Sequence, residues 1–279
     1  MKNLLTILSF VLMTSTITAQ KFQGKATYKT HRKMDMKLAG PQFSSMSAEK
    51  KAQMNAMMMK QFQKTFTLTF NASQSIYKED KSLKTPSVAP SSGMNIMVMG
   101  SGGGSDVLYK NIKDDTFINK TEIMGKRFLI KDKLPRFDWK LTGETKNIGI
   151  YTCYKATYTR QEDQTNMSVE DGKVKESTKK VDVVTTAWYT PKIAVSNGPG
   201  DYTGLPGLIL EIKEGNQTIV CSEIVMNPKE KIEIVKPRKG KVVTQDQYSK
   251  IMDKKMKDQM EHFKSRRGNG NNVEIRIGG

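Results

Sequence analysis

Methionine is the residue type that offers this chain its most distinctive chemistry. Eighteen occur in 279 residues, seven of them between Met34 and Met59, with Met94, Met97 and Met99 following. Thioethers are soft, uncharged ligands that bind without losing a proton, so they suit Cu(I) where thiols would be oxidised. A helix would place Met54 and Met58 on one face with Met57 beside them. Met94, Met97 and Met99 sit in a stretch rich in Gly, Ser and Pro, which is flexible enough to fold over that face. These six methionines form a candidate Cu(I) site, the one cofactor the sequence suggests. Against it stands the use of methionine as an apolar gap-filler, since a Met and Phe stripe at helical spacing also makes a core face or an apolar-ligand surface.

The other reactive side chains are few. Cys153 and Cys221 are the only cysteines. In a chain bound for an oxidising compartment they are expected to form a disulfide, two unpaired buried thiols being the alternative. The two histidines, His31 and His262, are too few for a multi-histidine zinc site or a histidine triad, and no nucleophile elbow, zincin, P-loop or dinucleotide fingerprint occurs. Asp and Glu are scattered without a spacing that selects a pair. The expectation is a non-enzymatic protein, with a carboxylate-based hydrolase as an alternative.

The N-terminus carries Lys2, the short apolar run from Leu4 to Met13, and small polar residues up to Ala19. That layout predicts a signal peptide over residues 1–19, cleaved after Ala19, and hence a periplasmic or extracellular protein. No later stretch has the ~20 apolar residues of a membrane-spanning helix. With 46 Lys and Arg against 28 Asp and Glu, the net charge is +18, and loss of Lys2 leaves +17. Such a chain is drawn to anionic envelope surfaces. Nucleic acid is not expected as a partner, because the aromatics do not lie on the basic stretches as stacking platforms would.

The positioning elements read as strands. Period-two alternation recurs about ten times: Ala26 and Tyr28 through Met34, Met36 and Leu38; Phe66, Leu68 and Phe70; Phe117 with Ile123; Phe128 with Ile130; Phe137, Trp139 and Leu141; Ile148 to Tyr158, with Ile150, Tyr154, Ala156 and Tyr158 on one side; and Val181 to Tyr189. Leu208 to Ile212 and Val220 to Ile224 flank a turn at 214–217 and read as a hairpin. Ile232 with Ile234, then Val273, Ile275 and Ile277, supply the last candidates. The fold class is mainly β (α+β): a strongly curved antiparallel sheet, half-barrel or barrel, in one domain over 20–279. Two amphipathic helices interrupt it, at about 47–63 and 244–267, the first behind Ser45 or Ser47 as cap and the second opened by a Thr244–Gln247 capping box. A mobile Gly/Ser/Pro-rich loop is expected between Lys81 and Asp106.

Phe137-Asp138-Trp139, Ile148-Gly149, Cys153 with Lys155-Ala156, Ala187-Trp188-Tyr189, Gly198-Pro199 and the hexapeptide Gly204-Leu205-Pro206-Gly207-Leu208-Ile209 occur in that order over about 125–225. This set resembles the GLPGLI family of exported Bacteroidetes proteins. The resemblance implies a cell-envelope protein, often encoded beside TonB-dependent outer-membrane receptors, with no established biochemical activity. The hexapeptide itself reads as backbone engineering, because its glycines permit positive φ and Pro206 fixes φ before a buried strand. The functional expectation is an exported binding or accessory protein that holds an apolar or anionic ligand or works with such a receptor.

Overall fold

The computed structural model describes residues 22–32, 47–50, 53, 63–80, 106–123, 125–170, 173–230, 232–266 and 275–277. Within these the chain is predominantly β. Thirteen strands form one sheet: β1 (Gln23–Arg32), β2 (Lys64–Asn71), β3 (Gln74–Glu79), β4 (Val107–Asn111), β5 (Thr116–Ile123), β6 (Lys126–Lys133), β7 (Lys140–Ile148), β8 (Tyr151–Glu170), β9 (Lys173–Thr190), β10 (Leu208–Glu214), β11 (Gln217–Met226), β12 (Lys241–Val243) and β13 (Ile275–Ile277). The order is β12-β6-β5-β4-β3-β2-β1-β11-β10-β9-β8-β13, with β7 also pairing β8. The two ends of this path do not meet, so the sheet does not close into the barrel that was one of the expected forms. It is mixed rather than purely antiparallel, because β12 runs parallel to β6. No helix among the described residues is long and apolar enough to cross a membrane.

Residues paired across strands share a face, and the register shows why one face is the core. Ala156, Ala187, Ile212, Ile219 and Thr30 are successive partners across β8, β9, β10, β11 and β1, and Thr30 in turn faces Lys64 of β2. Tyr28, Leu68, Phe70 and Ile212 on this face are 0–2 % exposed. The segment 191–207 lies over it, lending Ile193, Val195 and Leu205 to the same cluster. Each large apolar side chain buried so completely contributes roughly 1.5–3 kcal/mol.

Farther along the same face, a helix covers Phe128 and Ile130. This is α1 (Gln245–Arg266), which seats Tyr248 and Ile251 on them. Its start follows the capping-box expectation: Thr244 N donates to Gln247 Oε1 at 3.1 Å and Gln247 N to Thr244 Oγ1 at 3.2 Å. Residues 48–50 and 53 are helical too, and Lys50 N donates to Ser47 Oγ at 3.3 Å, which makes Ser47 the cap. Gln63, the last residue of the first expected helix, is not helical; residues 51, 52 and 54–62 of that helix, the Gly/Ser/Pro-rich stretch 81–105 and Met34, Met36 and Leu38 lie outside the described residues.

Several strand expectations need correction. Ile150 is not an inward strand residue: it is 84 % exposed in the turn between β7 and β8, where Gly149 takes φ 58°. Leu141 is 61 % exposed. Phe137 and Trp139 precede β7, since Pro135 removes a backbone donor just upstream. No strand includes Ile232 and Ile234. Pro228 and Pro237 bracket them, and Ile234 instead packs on Ile76, Tyr109, Ile118 and Leu129, covering the opposite face of the sheet. That double coverage explains why Phe128-Leu129-Ile130 is apolar without alternation. The hairpin of β10 and β11 is as expected, with Glu214 paired to Gln217 across Gly215 and Asn216.

Candidate functional site

At one end of the covered face the apolar core gives way to aromatic and charged side chains. Tyr158, Thr185, Glu214 and Gln217 are successive partners across β8 to β11, so their side chains line one row. Arg160 lies two residues beyond Tyr158 on the same face. Its guanidinium grips the Glu214 carboxylate at both oxygens, at 2.6 and 2.9 Å, and its Nε donates to Glu162 at 2.7 Å. Thr185 Oγ1 and the Tyr202 hydroxyl also donate to Glu214 Oε2, the latter at 3.1 Å. The Arg160 hydrogen bonds hold the Glu214 carboxyl below the usual carboxylate range. Glu214 is therefore an ionised acceptor already saturated by donors, which disqualifies it as a general acid.

Four rings stand beside this clamp. Phe137 lies 5.5 Å from Trp139, 5.4 Å from Tyr158 and 5.2 Å from Tyr202, centroid to centroid, and Trp139 lies 5.9 Å from Tyr158. All four are partly exposed. Two of them are held by polar handles, Trp139 Nε1 donating to Thr203 O at 2.8 Å and Tyr202 to Glu214, while Phe137 and Tyr158 pack against these rings. Burial, reinforced by the Glu214 charge, pushes the Tyr202 hydroxyl well above its ordinary range, so it remains a donor at neutral pH.

The loop that carries Tyr202 is anchored from beneath. Lys110 of β4 is fully buried, and its Nζ donates to Gly198 O at 2.8 Å and Gly200 O at 2.7 Å. Burial lowers its pKa to about 7, with Asp201 acting in the opposite sense. A lysine inside a core gives no warning in sequence, and the alternation picks out no strand at Val107–Asn111.

The hexapeptide follows at once. Gly204 takes φ 94° and its N donates to Ser196 Oγ at 2.9 Å. Leu205, Leu208 and Ile209 are buried, while Pro206 is exposed. A Cβ on Gly207 would stand 2.2 Å from the carbonyl oxygen of Thr190. The motif thus docks loop against strand, and its contribution to the aromatic cluster is to place Trp139 over Gly204, 3.5 Å from where a Cβ would be.

The disulfide expectation is corrected. Cys153 and Cys221 are both buried and free. Cys153 is on β8 and Cys221 on β11, and β9 and β10 lie between these strands, so the two are not facing positions on paired strands. Burial pushes their thiols up to about 11 and about 12, respectively, which makes them inert as nucleophiles. Thiol titration of unreduced, unfolded protein is expected to count two reactive cysteines per chain; a count of zero would restore the bridge.

Met54, Met57, Met58, Met94, Met97 and Met99 lie outside the described residues. The flanking strands are described, and Thr30 pairs with Lys64 while Lys78 pairs with Val107. The two connections that carry these methionines, β1 to β2 and β3 to β4, therefore leave the sheet at the same end of neighbouring strands. His31 is exposed, with Gln63 Nε2 3.4 Å from its Nδ1.

No curated protein matches the chain. Among solved structures it is similar to "Structure of PNGF-II in C2 space group", at 12 % identity and TM-score 0.46 over 83 % of this chain and 32 % of that one. It is also similar to "Structure of PNGF-II in P21 space group", at 11 % and 0.46 over 83 % and 33 %. The chain spans about a third of the length of those proteins. Residues 139–211, from the Trp139 of the aromatic cluster through the hexapeptide to β10, match the model of a family described as a protein of unknown function (Porph_ging).

Proposed function

We propose that this chain is an exported, non-enzymatic binding or accessory protein of the cell envelope, and that its ligand surface is the cluster of Phe137, Trp139, Tyr158 and Tyr202. The observation that supports this most is a cluster of four partly exposed rings in which Trp139 and Tyr202 are held by hydrogen bonds, the latter to the Arg160–Glu214 clamp, with Phe137 and Tyr158 packed against them, which leaves little ordering entropy to lose on binding. Export rests on the signal layout of residues 1–19 and on the basic charge, which favours residence at anionic envelope surfaces. A TonB-dependent outer-membrane receptor is the protein partner that the family resemblance suggests.

Two measurements test this reading. Intact mass of the exported protein is expected to show Gln20 as first residue; a retained Met1 would remove the envelope argument. Trp139 and Trp188 are the only tryptophans, so a Trp188→Phe variant reports on the cluster alone. Titration of this variant with envelope extract is expected to shift Trp139 emission, and Phe137→Ala to abolish the shift. An unchanged spectrum across all fractions would remove the binding surface.

A second reading, Cu(I) binding by the methionines, draws support from the shared sheet end at which both methionine-bearing connections depart. Competition with a colorimetric Cu(I) chelator decides it, comparing wild type with a variant carrying Leu at Met54, Met57, Met58, Met94, Met97 and Met99. Equal affinity would dismiss the metal.

A further inference from the structure

We infer that the ligand of the aromatic cluster is a neutral, pyranose-containing glycan, a deduction that rests on the binding surface proposed above. The first ground is local charge. The protein as a whole is strongly cationic, yet beside the rings the charges balance: the exposed Asp138 and Asp201 neighbour ring residues in the chain, as do the exposed Arg136 and Lys140, while Glu162 and Glu214 are both tied to Arg160. An anionic head group gains no net attraction from so balanced a surround, so the charge that draws the protein to envelope surfaces does not serve this site.

The second ground is the arrangement of the rings. Phe137 is tilted 30° from Trp139 and 34° from Tyr202, while Tyr158 stands at 88° to it. Trp139 and Tyr202 are inclined 48° to each other, so the three rings make a shallow, uneven platform buttressed by a fourth. Centroid separations of 5.2–6.3 Å mean that the rings touch one another. No space is left among them to enclose a quaternary ammonium, which an aromatic cage does by surrounding the cation.

A sugar ring has the complementary design. One face carries axial C–H groups that lie on an aromatic plane, and its rim carries hydroxyl donors. The exposed Asp138 and Asp201 carboxylates are acceptors placed directly beside the platform residues Phe137, Trp139 and Tyr202 in the chain. Charge-assisted hydrogen bonds from hydroxyls to such carboxylates are stronger than bonds to neutral acceptors.

The experiment is a titration of the Trp188→Phe protein with neutral cello-, chito-, manno- and malto-oligosaccharides, read by Trp139 emission and by calorimetry. At least one class is expected to bind, with affinity unchanged between low and moderate salt. Phe137→Ala is expected to weaken it about tenfold or more, and circular dichroism checks that this variant is folded. Asp138→Asn with Asp201→Asn keeps the platform and is expected to weaken binding by a smaller factor. If no oligosaccharide binds but an envelope lipid or peptide shifts Trp139, the glycan assignment fails and the surface stands. If a phosphocholine probe binds instead, with affinity that falls as salt rises, the ligand is a cation and the assignment is wrong. If nothing shifts Trp139, both fail.

Discussion

Replacing Gly207 by alanine is expected to destabilise the protein by about 3 kcal/mol or more, the largest effect of any single methyl group added to the hexapeptide loop. The new Cβ would lie 2.2 Å from the Thr190 carbonyl oxygen and 2.6 Å from its carbonyl carbon. These are backbone atoms at the end of β9 that cannot rotate away as a side-chain tip would. Relief requires the loop to lift from the strand. That would strain the bonds from Leu208 N to Ile193 O and from Ile209 N to Asn197 O, and expose Leu205, Leu208 and Ile209. Gly215→Ala is the control. Gly215 also has positive φ, at 51°, but nothing lies within 4 Å of its Cβ position, so only the left-handed backbone cost of roughly 1–2 kcal/mol applies. Urea midpoints of the two variants decide the matter: equal losses would mean that φ preference, and not close approach, explains the motif.

How far the sequence foretold this depends on the range of the physics involved. Period-two alternation located most strands because each buries one face, and the Thr244–Gln247 box located α1 because its signal is complete within four residues. The alternation misled at Phe137, Trp139 and Leu141, where a short apolar rhythm served tertiary packing of two rings against Tyr158 and Tyr202 and left Leu141 exposed. The cysteine expectation failed because strand order is a long-range property. Mid-strand positions on β8 and β11 are plausible partners until β9 and β10 are seen to intervene. The aromatic cluster draws residues from the stretch before β7, from β8 and from the loop before β10, with only Phe137 and Trp139 close in sequence. The hexapeptide was legible as a turn from its glycines and proline, whereas the Thr190 carbonyl that makes Gly207 necessary was not.

Lys110 is the clearest case of a residue whose role is invisible in sequence, and Lys110→Met is expected to remove a specific pH dependence of stability. In the folded protein the ammonium is stripped of water, which lowers its pKa from 10.5 to about 7 despite the pull of Asp201. In the unfolded chain it titrates at its ordinary value. Below pH 7 the lysine is protonated in both states, and the buried charge weighs on the fold at full strength. Between pH 7 and 10.5 the unfolded chain holds a proton that the folded one has released, so stability rises with pH by about 1.4 kcal/mol per unit. Methionine has similar length and no titration. Subtracting the variant's stability from that of the wild type cancels the contributions of all other groups to first order. That difference is expected to be flat from pH 5 to 7 and to grow by roughly 2–3 kcal/mol between pH 7.5 and 9.5. Throughout, the variant also leaves Gly198 O and Gly200 O without their donor, a loss of roughly 1–3 kcal/mol for each carbonyl that stays dry. Because the same two carbonyls position the loop that carries Tyr202, Trp139 emission in the Trp188→Phe background should change on adding Lys110→Met. A stability difference that stays constant from pH 7.5 to 9.5 would show that the Lys110 ammonium is hydrated in the folded state, and the anchoring of the Gly198–Gly200 turn would then need another explanation.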